Sequence, residues 1–307
     1  MTTATIGRSP ARSHAADARA TSWVGRAPYV MSVVLVLVSL AAVIGALSFS
    51  EAIAAPAVTV GNLQGTAVVL GVATVPILLV SMVLLSRGVT VAVIFWLGAL
   101  GSIAYQSVLF LFGVSFNSYF FLYVAMLSLS VWPVVTLAVR VPADGVAGRI
   151  GAHAPVRFTA AYLLVNAALF GLLWLRATVP PVLSGEPPAF LEGTGMLTGP
   201  VQIIDLAFTL PMMVLGAVLL LRRQPWGYLL TGTMLIMLAI ETASIGVDQW
   251  MGHAADPSSP AASGALVPVF AVLTLVGVAM LALFLRPGPR IAATAHGEGP
   301  PHHRRDA

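Results

Sequence analysis

"QIIDLAFTLPMMVLGAVLLLRRQPWGYLLTGTMLIMLAIETASIGVDQW", residues 202–250, holds two long apolar runs joined by the turn "RRQP". A bilayer core about 30 Å thick takes about 20 apolar residues of helix. The stretch therefore reads as two antiparallel membrane-spanning helices. Three carboxylates, Asp205, Glu241 and Asp248, stand where apolar side chains are expected. A charge in mid-membrane costs at least about 2.5–3.5 kcal/mol on insertion scales, so each needs a partner or a role.

The rest of the chain repeats the pattern. Of its 307 residues 58% are hydrophobic and 8% charged, against about 25% charged in soluble domains. Eight segments are long and apolar enough to span: 28–49, 66–86, 90–112, 118–139, 157–177, 200–221, 226–249 and 264–285. The fold class expected is all-α, a polytopic transmembrane bundle of eight spans over residues 28–286. Residues 1–27 and 287–307 read as polar, disordered cytoplasmic segments. "SEAIAAPA" after the first span offers an Ala52-Ile53-Ala54 cleavage pattern. A secretory apolar region runs only about 7–15 residues, so the first span is kept; cleavage would leave seven.

All fifteen basic residues are Arg. Under an eight-span count, Arg8, Arg12, Arg19, Arg26, Arg87, Arg140, Arg149, Arg157, Arg222, Arg223, Arg286, Arg290, Arg304 and Arg305 share one side, and only Arg176 lies opposite. The positive-inside rule then puts both termini in the cytoplasm of a plasma-membrane protein. Glu51, Glu186, Glu192 and Asp256 fall outside. No basic domain stands apart from the membrane flanks, so the +4 net charge does not indicate nucleic acid. The absence of Cys excludes disulfides, thiolate catalysis, zinc–thiolate sites and iron–sulfur clusters.

At 1.5 Å per residue, Asp205 and Glu241 lie about 24 and 22 Å above the "RRQP" turn, at one depth on neighbouring helices. Gln202, Asp205 and Thr209 share one helix face; Glu241, Ser244 and Asp248 share another. Two anions at one low-dielectric site repel, so a shared proton, or a shared donor such as Gln202 or Ser244, is expected. The structural alternative is that Asp205 benefits from a helix N-terminus opened by Thr198 and Pro200, and that Asp248 sits at the water boundary. Glu241 has no such account. Asn166, about 14 Å from the inner side, is expected to hydrogen-bond between helices. Gly98, Gly101 and Ser102 permit close packing beside Tyr105 and Gln106. Trp226, Tyr228, Trp250, Tyr119 and Tyr123 fit an interfacial aromatic belt. The external stretch "TVPPVLSGEPPAFLEGTGMLTGP" (178–200) is too rich in Pro and Gly for a long helix; it reads as a linker, with a lid over the bundle as the alternative.

An internal echo is present. "VPILLVSMVLLSR" (75–87) aligns without a gap on "LPMMVLGAVLLLR" (210–222), Pro76 on Pro211 and Arg87 on Arg222. Two parallel four-helix repeats would produce this, with Gln106 in the place of Glu241. The interior prolines predict a kink in each helix. "FGVSFNSYFFLYVAMLSLS" (112–130) and "IIDLAFTLPMMVLGAVLLLRRQPWGYLL" (203–230) together resemble a group of uncharacterised bacterial and archaeal multi-pass membrane proteins. Asn117, Tyr123, Asp205, Pro211, Arg222, Arg223, Pro225, Trp226, Gly227 and Tyr228 carry that resemblance. It implies an integral membrane protein and no particular activity.

No nucleophile elbow, P-loop, zinc-protease motif, dinucleotide fingerprint or headgroup-transfer pattern occurs. No His falls inside the eight segments, and the tail residues His296, His302 and His303 read as a solvated segment rather than a metal site. No metal or cofactor is expected, and nothing indicates an enzyme. The leading expectation is a transport-like or ligand-sensing protein whose outward-facing acidic site takes a small solute or a proton. Its candidates are Asp205, Glu241, Gln202, Ser244, Asp248, Asn166 and Gln106. The alternative is a scaffold or accessory subunit whose polar residues only pack helices. Reporter fusions at Arg26, Ala147, Gln224 and Ala293 should report cytoplasm, and those at Ala55, Gly185 and Ser258 the exterior. A cytoplasmic signal at Gly185 would remove the eight-span topology.

Overall fold

The computed structural model describes residues 23–151 and 153–286. The expectations for most of 1–27 and for 287–307, the tail histidines included, lie outside the described residues. Nine helices and no strand occur within them: α1 (Ala27–Ser48), α2 (Ala57–Ser86), α3 (Ala92–Phe112), α4 (Phe120–Ala138), α5 (Ala143–Ile150), α6 (Val156–Ser184), α7 (Pro200–Leu221), α8 (Pro225–Ala255) and α9 (Leu266–Phe284). All but α5 are long and apolar enough to cross a bilayer. Leu37, Leu172 and Leu275 are among many large apolar side chains facing outward, an exterior that lipid covers and water does not. The chain is a multi-pass integral membrane protein.

Four helices depart from expectation, and α2 does so at its start, Ala57, nine residues before the expected 66. α6 does not stop before the prolines but continues through Pro180 and Pro181 to Ser184. It ends on Gly185, whose φ of 76° is the left-handed conformation that suits a helix stop. The external connection is therefore residues 185–199. Its second half is fixed, because Thr59 donates its hydroxyl to the Thr194 carbonyl at 2.7 Å. α8 runs on to Ala255, which brings His253 into its last turn, so one histidine does belong to a spanning helix. The short α5 was hidden inside an Arg-flanked connection. It buries Ala143, Val146 and Ile150 and packs against α8.

The prolines of α2 and α7 act in the same way. Proline offers no N–H and its ring crowds the carbonyl four residues earlier; an upstream turn re-registered to i→i+5 bonding relieves both. Leu70–Thr74 precedes Pro76 as one such π-turn, and Asp205–Thr209 precedes Pro211 as another. The Thr74 hydroxyl bonds the Val69 carbonyl and the Thr209 hydroxyl the Ile204 carbonyl, each at 3.4 Å. Both helices also end in one turn type. At the end of α2 the Val89 N–H reaches Leu84 O and the Gly88 N–H reaches Leu85 O; at the end of α7 Gln224 reaches Leu219 and Arg223 reaches Leu220. Gly88 holds a φ of 90° there and Arg223 a φ of 52°.

α3 and α8 form the centre. Their spans are 72% and 67% buried against 11% for α9, so these two carry the bundle and α9 rides on its outside. Glycine lets their backbones approach. A Cβ on Gly98 would lie 2.6 Å from Ile236 Cγ2, one on Gly101 2.6 Å from Met237 Sδ, and one on Gly232 2.6 Å from Ile94 Cγ2. On its other side α8 meets α2, where a Cβ on Gly65 would lie 2.6 Å from Asp248 Cα. Overpacking a well-filled core costs about 1–3 kcal/mol. Gly98→Val should therefore lower the detergent-extracted Tm, with partial recovery on adding Ile236→Ala. Gly148→Ala, where a Cβ meets nothing within 4 Å, should leave Tm unchanged. Equal melting of all three would contradict the α3–α8 contact.

Candidate functional site

Asp205 is the first residue of the α7 π-turn and is only 9% exposed. Trp174 of α6 donates its indole N–H to Oδ2 at 2.9 Å. The hydroxyls of Thr209, from the last position of the turn, and of Tyr105 on α3 face the same carboxylate. Glu241 on α8 is 8% exposed and accepts Nε2–H of Gln106 at 3.4 Å. That is a long bond beside the usual 2.9–3.0 Å. Ser102, one turn earlier on α3, faces Glu241 with its buried hydroxyl unpaired, and Gln106 Oε1 is unpaired as well.

Asp205 and Glu241 line one cavity of about 50 Å³ together with Tyr105, Trp174, Thr209 and Met237. No basic residue lines it. Such a space holds a few waters or a bare cation, far below the roughly 300–1,000 Å³ of a small-molecule pocket. The two carboxylates thus have only neutral donors around them, and no counter-charge lines the cavity. No group of three or more Asp, Glu or His residues suited to a metal ion occurs among the described residues.

The remaining candidates part from this pair. Asp248, only partly buried, accepts the Thr66 hydroxyl at 3.1 Å and lies against Gly65, so it ties α8 to α2. Gln202 does not bridge the acids; its side chain turns back on Gly199 and lines a groove on the outer side. Ser244 is buried with an unpaired hydroxyl and lies off the cavity. The acids thus share a cavity and not the expected donors: Trp174 and Gln106 supply the bonds, because α6 packs on α7 and α3 on α8. Asn166 donates to the Tyr162 carbonyl of its own helix at 2.8 Å, a one-turn bond that replaces the expected interhelical one. Tyr123 and Tyr228 are buried against protein, the first against Phe110 with centroids 5.0 Å apart and the second on Phe284 at 6.4 Å. Trp226 and Trp250 are exposed as expected of the belt.

Trp174 was missed from the sequence. An indole N–H in an apolar span was its one local signal, since a buried Trp seeks an acceptor. Which acceptor depends on the α6–α7 packing. No protein-family model matches the chain, and no curated protein or solved structure proved similar to it.

Glu241→Gln should fold, since the amide keeps the size and a hydrogen bond with Gln106, whereas Glu241→Lys should lose monodisperse protein. Removing one partner of a buried polar group costs about 1–3 kcal/mol, so Trp174→Phe should lower Tm by several degrees. A Trp174→Phe protein that melts with the wild type would show that the indole does not hold Asp205.

Proposed function

We propose that this is a transport-like membrane protein in which Asp205 and Glu241 act together as one proton-carrying site, open toward the outer side. The observation that carries the reading is the shared cavity: two carboxylates from adjacent helices, neutral donors only, and space for water but not for an organic solute. Coupled carboxylates bind and release protons as a pair, so one proton serves both. The distribution of Arg supports cytoplasmic termini in a plasma membrane and puts the acids in the outer part of the bilayer.

A duplicated four-helix unit fits the same reading, because parallel repeats are a recurrent architecture of transporters. Four features recur with one spacing: the π-turns, their Thr-to-carbonyl bonds, the turns at Gly88 and Arg223, and the aligned prolines. Two hydrogen bonds, Gln106 to Glu241 and Thr59 to Thr194, join residues 135 apart, the distance that separates Leu70 from Asp205. Residues that pair with their own repeat-mates belong beside a pseudo-two-fold axis. The first half carries Leu70 and Gln106 where the second carries Asp205 and Glu241, so only one half keeps its acids.

A packing role is the second reading, and it is favoured for Asp248 alone, on its Thr66 bond and its contact with the Gly65 backbone. Reconstituted into liposomes with an ionophore-imposed proton gradient and a luminal pH dye, the wild type should dissipate the gradient faster than protein-free vesicles. Asp205→Asn with Glu241→Gln should return the rate to the vesicle baseline with Tm nearly unchanged. A double variant as fast as the wild type, or a wild type no faster than bare vesicles, would remove the proton reading.

A further inference from the structure

We propose that the groove above the acidic pair binds an amphipathic organic cation, the class of solute that the proton site serves; the link to proton movement rests on the reading of Asp205 and Glu241 given above. The groove has a volume of about 660 Å³, inside the roughly 300–1,000 Å³ range of small-molecule sites and over ten times the space at the acids. Its walls are the end of α6, the connection 185–199 and the first turns of α7.

This pocket exists because two unusual pieces of chain are held in place. α6 stays helical across Pro180–Pro181 and so stands beyond the membrane core as a wall. The opposite wall is pinned by the Thr59–Thr194 bond at 2.7 Å and by Gly195, where a Cβ would lie 2.8 Å from Pro56 Cδ. Thr194 is 3% exposed, so this part of the connection is packed.

The lining chemistry selects the ligand. Pro181, Val182, Phe190 and Leu206 offer an apolar surface, and Leu197 at the rim is 98% exposed. An apolar body entering from the outer membrane face therefore meets matching side chains at once. Glu186 is the one charged residue lining the groove, and the carboxamide of Gln202 adds a polar contact at its floor. One exposed carboxylate with no basic residue beside it gives the groove a negative charge, which favours cations over anions. The groove also touches the proton site through α7. Gln202, Ile203 and Leu206 line the groove while Asp205 and Thr209 line the cavity, so an occupant bears on the π-turn that carries Asp205.

Tetraphenylphosphonium and tetraphenylborate, isosteric ions of opposite charge, test this by equilibrium dialysis against the full chain in nanodiscs, with empty nanodiscs subtracted. The phosphonium should bind saturably and the borate should not. Charge reversal by Glu186→Lys should weaken the phosphonium about tenfold, as a loss of about 1.4 kcal/mol would. Leu206→Trp, which fills the groove, should do the same while the protein melts normally. Asp205→Asn should keep phosphonium binding although proton flux is lost. Absence of saturable binding, equal binding of both ions, or full affinity in Glu186→Lys would overturn the proposal. Any of these beside intact wild-type flux would leave the proton site standing, whereas binding without flux would remove the proton reading and keep the cation groove.

Discussion

The glycine contact between α3 and α8 is the constraint from which the rest follows. Lipid tails are as apolar as leucine, so helices in a bilayer gain little from hiding apolar surface and rely on close packing and interhelical hydrogen bonds. Gly98, Gly101 and Gly232 let two backbones meet where any Cβ would collide with Ile236, Met237 or Ile94. That approach sets Gln106 against Glu241 and Tyr105 toward Asp205. The tight turn at Arg223, reinforced at Gly227, where a Cβ would collide with Leu220 N, keeps α7 beside α8. The acids therefore meet at one depth because of backbone geometry, and their own attraction for a partner contributes only afterwards.

Proline supplies the second constraint. Pro76 and Pro211 each convert the preceding turn to i→i+5 bonding, and a threonine hydroxyl closes both turns. In α2 the turn carries Leu70 and remains a packing device. In α7 it carries Asp205, with Thr209 one π-turn on, so the same backbone irregularity presents an acid and a hydroxyl to the cavity. Widened turns of this kind are frequent at functional sites, and the contrast between the two shows that the irregularity came from the prolines and the chemistry from the side chains.

Much of this was legible in the sequence. Spans follow from apolar length, and the echo of 75–87 in 210–222 foreshadowed a shared irregularity. The equal depth of Asp205 and Glu241 followed from residue counting across the "RRQP" turn. Partners were not legible, because a depth argument fixes height along a helix but not which helix stands alongside. Trp174 and Gln106 come from α6 and α3, and nothing local to Asp205 or Glu241 names them. Asn166 found an acceptor on its own helix, an option that polarity alone does not rank. The helical passage through Pro180–Pro181 is not legible from Pro and Gly content, since it is Gly185 that ends the helix.

The central claim is that Asp205 and Glu241 exchange protons as one coupled unit. Difference infrared spectroscopy of the purified chain after a pH jump, with isotope-labelled carboxyls, reads this directly. The account predicts a protonated-carboxyl band in the wild type whose frequency and midpoint both move in Asp205→Asn and in Glu241→Gln, and which vanishes in the double variant. Two independent bands, each lost in one single variant with the other unmoved, or no band dependent on either residue, would contradict it.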